Sequence, residues 1–119
     1  MTKELINGNL YKTLFDNMLN GFAYCHGVFK NEEMVDFRYI KVNPAFEHHS
    51  DLKGVEGKLI SELIPNIREL DHDLFVTYGQ VATGGKPQTF ERHIAALKQW
   101  YRISVYSTEP GTFAAVFEN

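Results

Sequence analysis

Residues 39–46 read Tyr39-Ile40-Lys41-Val42-Asn43-Pro44-Ala45-Phe46. A run of aromatic and β-branched residues stops at Asn43, and Pro44 opens a short helical stretch. Such a run favours an extended chain. Asn is a good N-cap because its side-chain oxygen accepts a free backbone N–H, and Pro suits the first helical position, where its missing N–H costs nothing. The stretch therefore predicts a strand that hands over directly to a helix.

Working outward, the upstream chain predicts a helix and a hairpin. Leu10, Tyr11, Leu14, Phe15, Met18 and Leu19 form the stripe of an amphipathic helix over residues 8–19, and Asn20-Gly21 supplies its stop. Residues 22–29 read as a strand, 30–33 as a polar turn and 34–42 as the return strand. Downstream, short helical pieces cover 44–49 and 51–54, and Gly54 and Gly57 bracket a loop. Ile60, Leu63, Ile64 and Pro65 then make a small apolar cluster. A longer helix runs from Glu69 or Asp71 to Thr83, with Leu74, Phe75, Tyr78, Val81 and Ala82 on its apolar side and Gly84-Gly85 after it. Three strands follow at 88–94, 100–107 and 112–118. Strands and helices fall in blocks rather than alternating, which is the α+β class.

Composition narrows the function. A chain of 119 residues with 44% hydrophobic and 23% charged residues is one globular domain. A formal charge of -3 argues against nucleic acid and against direct membrane contact, since both partners call for a basic surface. The single cysteine, Cys25, excludes an internal disulfide and a Cys-based zinc site. No apolar run approaches the roughly 18 residues that span a bilayer, and residues 1–10 lack the form of a signal peptide, so a cytoplasmic location is expected. Neither Ser50 nor Cys25 sits in a nucleophile turn, and no glycine-rich phosphate loop is present. His48 and His49 are adjacent, about 100° apart on a helix, and do not suit one metal ion.

The order of elements, with Asn43-Pro44-Ala45-Phe46, Gly57 before residues 59–65, Thr83-Gly84, Lys86-Pro87 and Trp100 to Val105, resembles the PAS sensory-box family over nearly the whole chain from Leu10 to Asn119. Two features depart from the family pattern. Ser50-Asp51 stands where many members have Thr-Gly, and the chain stops at Asn119, near where many carry the Asp-Ile-Thr that leads to an output domain. The resemblance implies a five-stranded antiparallel sheet, short helices and one longer helix on one face, and a ligand pocket between them. The expected division is 1–20 as an N-terminal helix capping the other face and 21–119 as the core.

Strand alternation assigns faces within that fold. Tyr101, Ile103 and Val105 are expected inside, as are Phe113, Ala115 and Phe117. Ala23 and Cys25 are small and would leave room for a ligand. Val42, Asn43, Phe75 and Tyr78 complete the expected pocket. On the third strand Phe90, Arg92 and Ile94 alternate with Thr89, Glu91 and His93, so Arg92 either meets an anionic ligand or an acid, or escapes to solvent at a strand end. Phe22, Tyr24, Trp100 and Val116 would make an outer face too apolar for water. The N-terminal helix is expected to cover it and to form a homodimer interface through Leu10, Tyr11, Leu14, Phe15 and Met18.

The resemblance also implies a role: regulation of an attached output domain, a histidine kinase or a diguanylate cyclase, with no catalytic activity of the domain's own. A domain filled by its own side chains and serving only protein interaction is the alternative. No cofactor is the leading expectation. Haem held by His72, in the pair His72-Asp73, is the second alternative, although His72 lies on the flank of the apolar stripe and Tyr78 replaces the Arg of that haem branch. A flavin photoadduct requires a helical Asn-Cys-Arg-type motif that this sequence lacks, while a flavin held without a covalent bond stays open as a further cofactor.

Overall fold

The computed structural model describes residues 9–118. Residues 1–8 of the expected capping segment and the terminal Asn119 lie outside the described residues. The strand-to-helix junction forms as its sequence dictates. Asn43 is extended, with φ -97° and ψ 169°, and its Oδ1 accepts the Phe46 N–H at 3.0 Å, while Pro44 is the first residue of the helix. That helix, Pro44–Ser50, ends where Asp51 adopts the left-handed conformation.

The elements, in chain order, are α1 (Tyr11–Asp16), β1 (Gly21–Lys30), β2 (Glu33–Val42), α2 (Pro44–Ser50), α3 (Ile60–Leu63), α4 (Ile67–Leu70), α5 (His72–Ala82), β3 (Gln88–Ile94), β4 (Gln99–Tyr106) and β5 (Thr112–Glu118). The strands make one sheet in the order β2-β1-β5-β4-β3, and every neighbouring pair is antiparallel. The β1–β2 hairpin turns at Asn31 and Glu32, both with positive φ, as a two-residue turn matched to strand twist requires. The long connection from β2 to β3 carries α2 to α5 across one face. Asp71 fixes that layer to the far edge of the sheet: its carboxylate accepts the N–H groups of Ala95 at 2.9 Å and Ala96 at 3.3 Å, in the turn between β3 and β4.

Register sets the inner face. Cys25 pairs with Tyr39 on one side and Phe113 on the other, and Ala23 pairs with Val42 and Ala115. A bulge between Tyr24 and Cys25 leaves Ile40 as the extra residue of β2, so Phe37, Tyr39 and Val42 all lean toward the helices despite the odd-to-even switch. The core gathers Cys25, Phe37, Tyr39, Phe46, Phe75, Tyr78, Ile103 and Phe113, all buried.

The outer face differs from expectation. The N-terminal helix is shorter than the predicted 8–19: it stops at Asp16 because Asn17 leaves helical geometry, with both its backbone and side-chain N–H groups bonded to the Thr13 carbonyl. No residue of α1 is buried. Phe15 touches the sheet through an edge-on contact with Phe22, ring centres 5.3 Å apart, while Leu10, Tyr11 and Leu14 stay exposed and Leu19 is 88% exposed. Six residues cover about 9 Å along the axis, too little to shield a five-stranded face. Trp100, expected beneath the helix, is 67% exposed.

Candidate functional site

Between the sheet and the helical layer lies a cavity of about 40 Å³. The sheet contributes Ala23, Cys25, Phe37, Tyr39, Tyr101, Phe113, Ala115 and Phe117; the helices contribute Phe46, Ile60, Ile64, Ile67, Leu74 and Tyr78. His49, Ser50, Leu52, Ile94 and Leu97 complete the wall. Of these, His49, Ser50, Leu52, Ile64 and Leu97 are partly exposed, so the cavity meets the surface between α2 and the β3–β4 turn.

Small side chains make this space. On β1 and β5, Ala23, Cys25 and Ala115 stand in the inward rows, where larger residues would reach the helices. The aromatic residues around them interlock: Phe37 meets Tyr39, Phe75, Tyr78 and Phe113 with ring centres 5.3 to 5.8 Å apart, and Tyr78 stacks on Phe113 at 4.5 Å. Offset and edge-on pairs of this kind contribute about 0.5–1.5 kcal/mol each beyond burial.

The polar atoms in the wall fall into two groups. Tyr101 Oη donates to the His49 carbonyl at 3.0 Å, and Ser50 Oγ donates to the Phe46 carbonyl at 2.6 Å while accepting the Leu52 N–H. Those groups are satisfied. Tyr78 is 2% exposed, and its Oη has no hydrogen-bond partner among the described residues. Burial pushes the Tyr78 phenol and the Cys25 thiol well above their ordinary values, with the neighbouring Cys25 adding to the rise at Tyr78. Tyr39 and Tyr101 are raised by burial as well. Cys25, Tyr39, Tyr78 and Tyr101 therefore stand protonated and neutral in a largely apolar wall that also includes His49.

The structure brings Ala23, Cys25, Tyr78, Tyr101, Phe113, Ala115 and Phe117 together at this cavity and places the other expected pocket residues elsewhere. Asn43 is 1% exposed and spends its side chain on the backbone, accepting from Phe22 and Phe46 and donating to the carbonyls of Asn20 and, at 3.5 Å, Phe15. Val42 is partly buried beside it, on the rim of a shallow surface depression with Pro44 and Glu47. Phe75 turns from the cavity toward Phe37 and the β1–β2 hairpin, and Ile103 is enclosed by other core residues. Arg92 shares the inward row with its partner Tyr101, yet its guanidinium runs over the Phe90 ring to the edge and lies 3.8 Å from Asp73 at the start of α5. An acid at a partly exposed edge is thus its partner. His72 is exposed and lines an outer groove with Glu33, Arg68 and Gln80, not the cavity, which corrects the haem geometry considered for it. Neither a porphyrin nor a three-ring flavin fits a space of about 40 Å³. No cluster of His, Cys, Asp or Glu suited to a metal ion occurs among the described residues.

Reading the sequence missed Phe37, Tyr39, Phe46 and the isoleucines of the short helices. Phe37 and Tyr39 alternate with Arg38 and Ile40, but the bulge at Ile40 puts them out of phase with Val42, so parity counted from the junction assigns them to the other face. Tyr78 carried a legible sign. It sits on a stripe whose helical neighbours are Leu74, Phe75, Val81 and Ala82, none of which can bond a phenol.

The sequence profile of the PAS domain family matches residues 9–82. Among solved structures, a domain of the sensory box sensor histidine kinase/response regulator from Geobacter sulfurreducens superposes with a TM-score of 0.66 at 18% identity, covering 100% of both chains. The photoactive yellow protein domain from a sensor histidine kinase of Rhodospirillum centenum gives a TM-score of 0.62 at 14% identity, covering 94% of this chain and 98% of that one. The LOV protein of Rhodobacter sphaeroides gives 0.56 at 10% identity, covering 99% of this chain and 68% of that one. Comparison with curated protein sequences finds no match.

Proposed function

This chain belongs to the PAS domain family, and from that premise we propose that it is a sensory module whose cavity takes a small ligand and whose occupancy regulates an attached output domain. The observation that carries the reading is the cavity itself: a nearly all-apolar space under α2 and α5. A domain that served only protein interaction would gain by filling that space, since a cavity of this size weakens packing. The similarity to a domain of a sensor histidine kinase supports a kinase as the output, with a diguanylate cyclase as the second choice.

The role is regulatory rather than catalytic. Cys25 is a buried thiol held protonated, and Tyr101 and Ser50 spend their hydroxyls on backbone carbonyls. Regulation requires the ligand to bind one arrangement of the domain more tightly than the other; about 1.4 kcal/mol of difference shifts the signalling equilibrium tenfold. Melting the purified domain against a panel of small metabolites tests the reading, because a molecule that binds only the folded form raises the melting temperature. A saturable rise supports it, and a flat panel sinks it.

A homodimer is the second part of the proposal. It rests on the apolar residues that α1 leaves uncovered: Leu10, Tyr11, Leu14 and Leu19 on the helix and its exit, and Trp100 and Tyr106 on the outer face of the sheet. Phe15, partly buried against Phe22 of the sheet, would hold the helix in place for a second copy, and Met18 just beyond the helix is partly buried as well. No described helix is long and apolar enough to cross a membrane.

A further inference from the structure

We propose that the turn between β3 and β4, residues 95–98, is a lid on the cavity and that Asp71 is the latch that holds it shut. The inference rests on the ligand-sensing reading and adds how a molecule reaches that site.

The two sides of the cavity mouth are held differently. On the α2 side, Tyr101 Oη donates to the His49 carbonyl at 3.0 Å, Ser50 Oγ donates to the Phe46 carbonyl at 2.6 Å, and His49 Nε2 lies 2.9 Å from the Leu19 carbonyl. These bonds tie the end of α2 to β4, to its own helix and to the exit of α1. On the other side Ile94 and Leu97 line the cavity, Ile94 buried and Leu97 partly exposed. Among the described residues, the hydrogen bonds that leave this turn for the helical layer all end on Asp71. Its Oδ1 accepts the Ala95 N–H at 2.9 Å and its Oδ2 accepts the Ala96 N–H at 3.3 Å.

The turn can move as a unit. Leu97 and Lys98 both donate their N–H groups to the Ile94 carbonyl, at 3.0 and 2.8 Å, and Lys98 takes the left-handed conformation with φ 57°. These internal bonds survive a swing about the strand ends at Ile94 and Gln99, the last register pair of β3 and β4. The Arg92–Asp73 pair, 3.8 Å apart, belongs to the strand before that hinge. What opposes the swing is the two bonds to Asp71 and the apolar contact of Ala96 and Leu97 with the core.

Asp71 stands between two sets of donors. It occupies the N-cap position of α5, where an aspartate ordinarily accepts an N–H of the first turn, yet its side chain makes no cap bond there. Asp71 is 6% exposed, and a carboxylate at that depth needs donors. The turn supplies them when closed. When it leaves, the first N–H groups of α5 can take over, since a helix gives them no internal partner and its N-terminus favours an anion. That exchange asks the ψ of Asp71 to rotate from 48° toward the extended range, where Asn43, a cap in use, sits at 169°. Opening is then a change of partner and not the exposure of an unpaired charge.

The test follows hydrogen exchange and xenon binding in the same domain. Xenon is the probe because it enters dry apolar cavities without a polar anchor. In the natural sequence the Ala95 and Ala96 amides should exchange faster than those of Ala23 and Ile103, and at a rate that low urea leaves unchanged, as a local opening requires. Xenon entry and exit, measured by NMR saturation transfer, should quicken roughly ten- to hundredfold in Asp71→Ala, with the dissociation constant unchanged. Asp71→Asn, which keeps one acceptor oxygen, should fall between. Melting curves establish that each variant is folded. Ser61→Ala is the control: it loses the bond to Asp36 on the β2 side of the helical layer, away from the mouth, and should leave the xenon rates alone. Exchange at Ala95 and Ala96 in step with the core at every urea concentration would overturn the lid. So would unchanged xenon rates in both Asp71 variants, or equal quickening in Ser61→Ala. In those three cases xenon still binds and the sensory reading stands. No saturable xenon signal in the natural domain would sink the sensory reading, and with it a lid over that site.

Discussion

Replacing Asn43 with alanine removes more than a helix cap. Its Oδ1 accepts two backbone N–H groups, from Phe46 at 3.0 Å and Phe22 at 2.8 Å, and its Nδ2 donates to the Asn20 carbonyl at 3.0 Å. Loss of the cap alone costs about 1 kcal/mol. The Phe22 N–H and the Asn20 carbonyl then stand unsatisfied at a site that is 1% exposed at Asn43, and each such group costs about 1–3 kcal/mol when water cannot reach it. Partial water access at Phe22, which is half-buried, favours the lower end, so the sum is about 3–4 kcal/mol. At this chain length that corresponds to a fall in Tm of roughly 10–20 °C. Urea denaturation of Asn43→Ala and Asn43→Ser measures the two parts separately, because serine can still cap Phe46 but is too short to reach Asn20. Asn43→Ser should recover about 1 kcal/mol and no more. If both variants lose only about 1 kcal/mol, or if serine restores full stability, Asn43 is an ordinary cap and the clasp reasoning is wrong.

Stability should fall as pH rises past about 9, the ordinary thiol value, because the unfolded chain then loses protons from Cys25, Tyr39 and Tyr78 while the folded domain retains them. A lower urea midpoint at pH 10.5 than at pH 8, with the early part of the drop abolished in Cys25→Ala, is the expected outcome; a flat profile contradicts burial of these groups. Trp100 is the sole tryptophan, and at 67% exposure its emission should be that of a solvated indole in dilute solution, shifting to the blue as concentration drives a dimer across the outer face. Leu14→Glu should hold the mass from light scattering at that of one chain; an unchanged dimer mass would take α1 out of the interface.

Much of this domain can be read from local chemistry. The junction at Asn43 and Pro44 was legible because a cap and a first-turn proline state their geometry within four residues, and the strands from Gln88 onward because β-branched alternation and the Pro110-Gly111 turn mark their limits. Inward rows on β4 and β5 followed from parity alone. Beyond that, the sequence underdetermines the structure for identifiable reasons. The α1 stripe looks long enough to cover the sheet, yet helix length is set where Asn17 competes for the Thr13 carbonyl, an outcome that apolar periodicity does not encode. Parity placed Arg92 inside but could not reveal that its long side chain reaches back to Asp73, nineteen positions earlier in the chain. The bulge at Ile40 hid the inward pair Phe37 and Tyr39, since alternation counted back from Val42 puts them on the wrong side. Asn43 itself misled in the other direction: a polar residue at a pocket corner suggests a ligand contact, and here the backbone consumes every bond it can make.

That last exchange bears on how a filled cavity would be felt elsewhere. Phe46 is both a cavity wall and the residue whose N–H Asn43 holds, and the same side chain reaches the Asn20 carbonyl, just beyond α1, and the Phe22 N–H at the start of β1. On the opposite wall Phe117 packs 5.8 Å from Phe46, ring centre to ring centre, and pairs in register with Gly21. A Cβ on Gly21 would come within 3.1 Å of the Phe46 backbone, so α2 and β1 are already in contact with no slack between them. A ligand that displaces Phe46 by a fraction of an ångström therefore cannot leave the junction untouched: either the Asn43 bonds lengthen or the start of β1 and the exit of α1 move with it. Close packing transmits such a shift rather than absorbing it. α1, through the Phe15 and Asn20 carbonyls that Asn43 holds, and β5, through Phe117 against Phe46, are both tied to this one corner, which is why a residue with no ligand contact can matter as much to a sensor as one that lines the pocket.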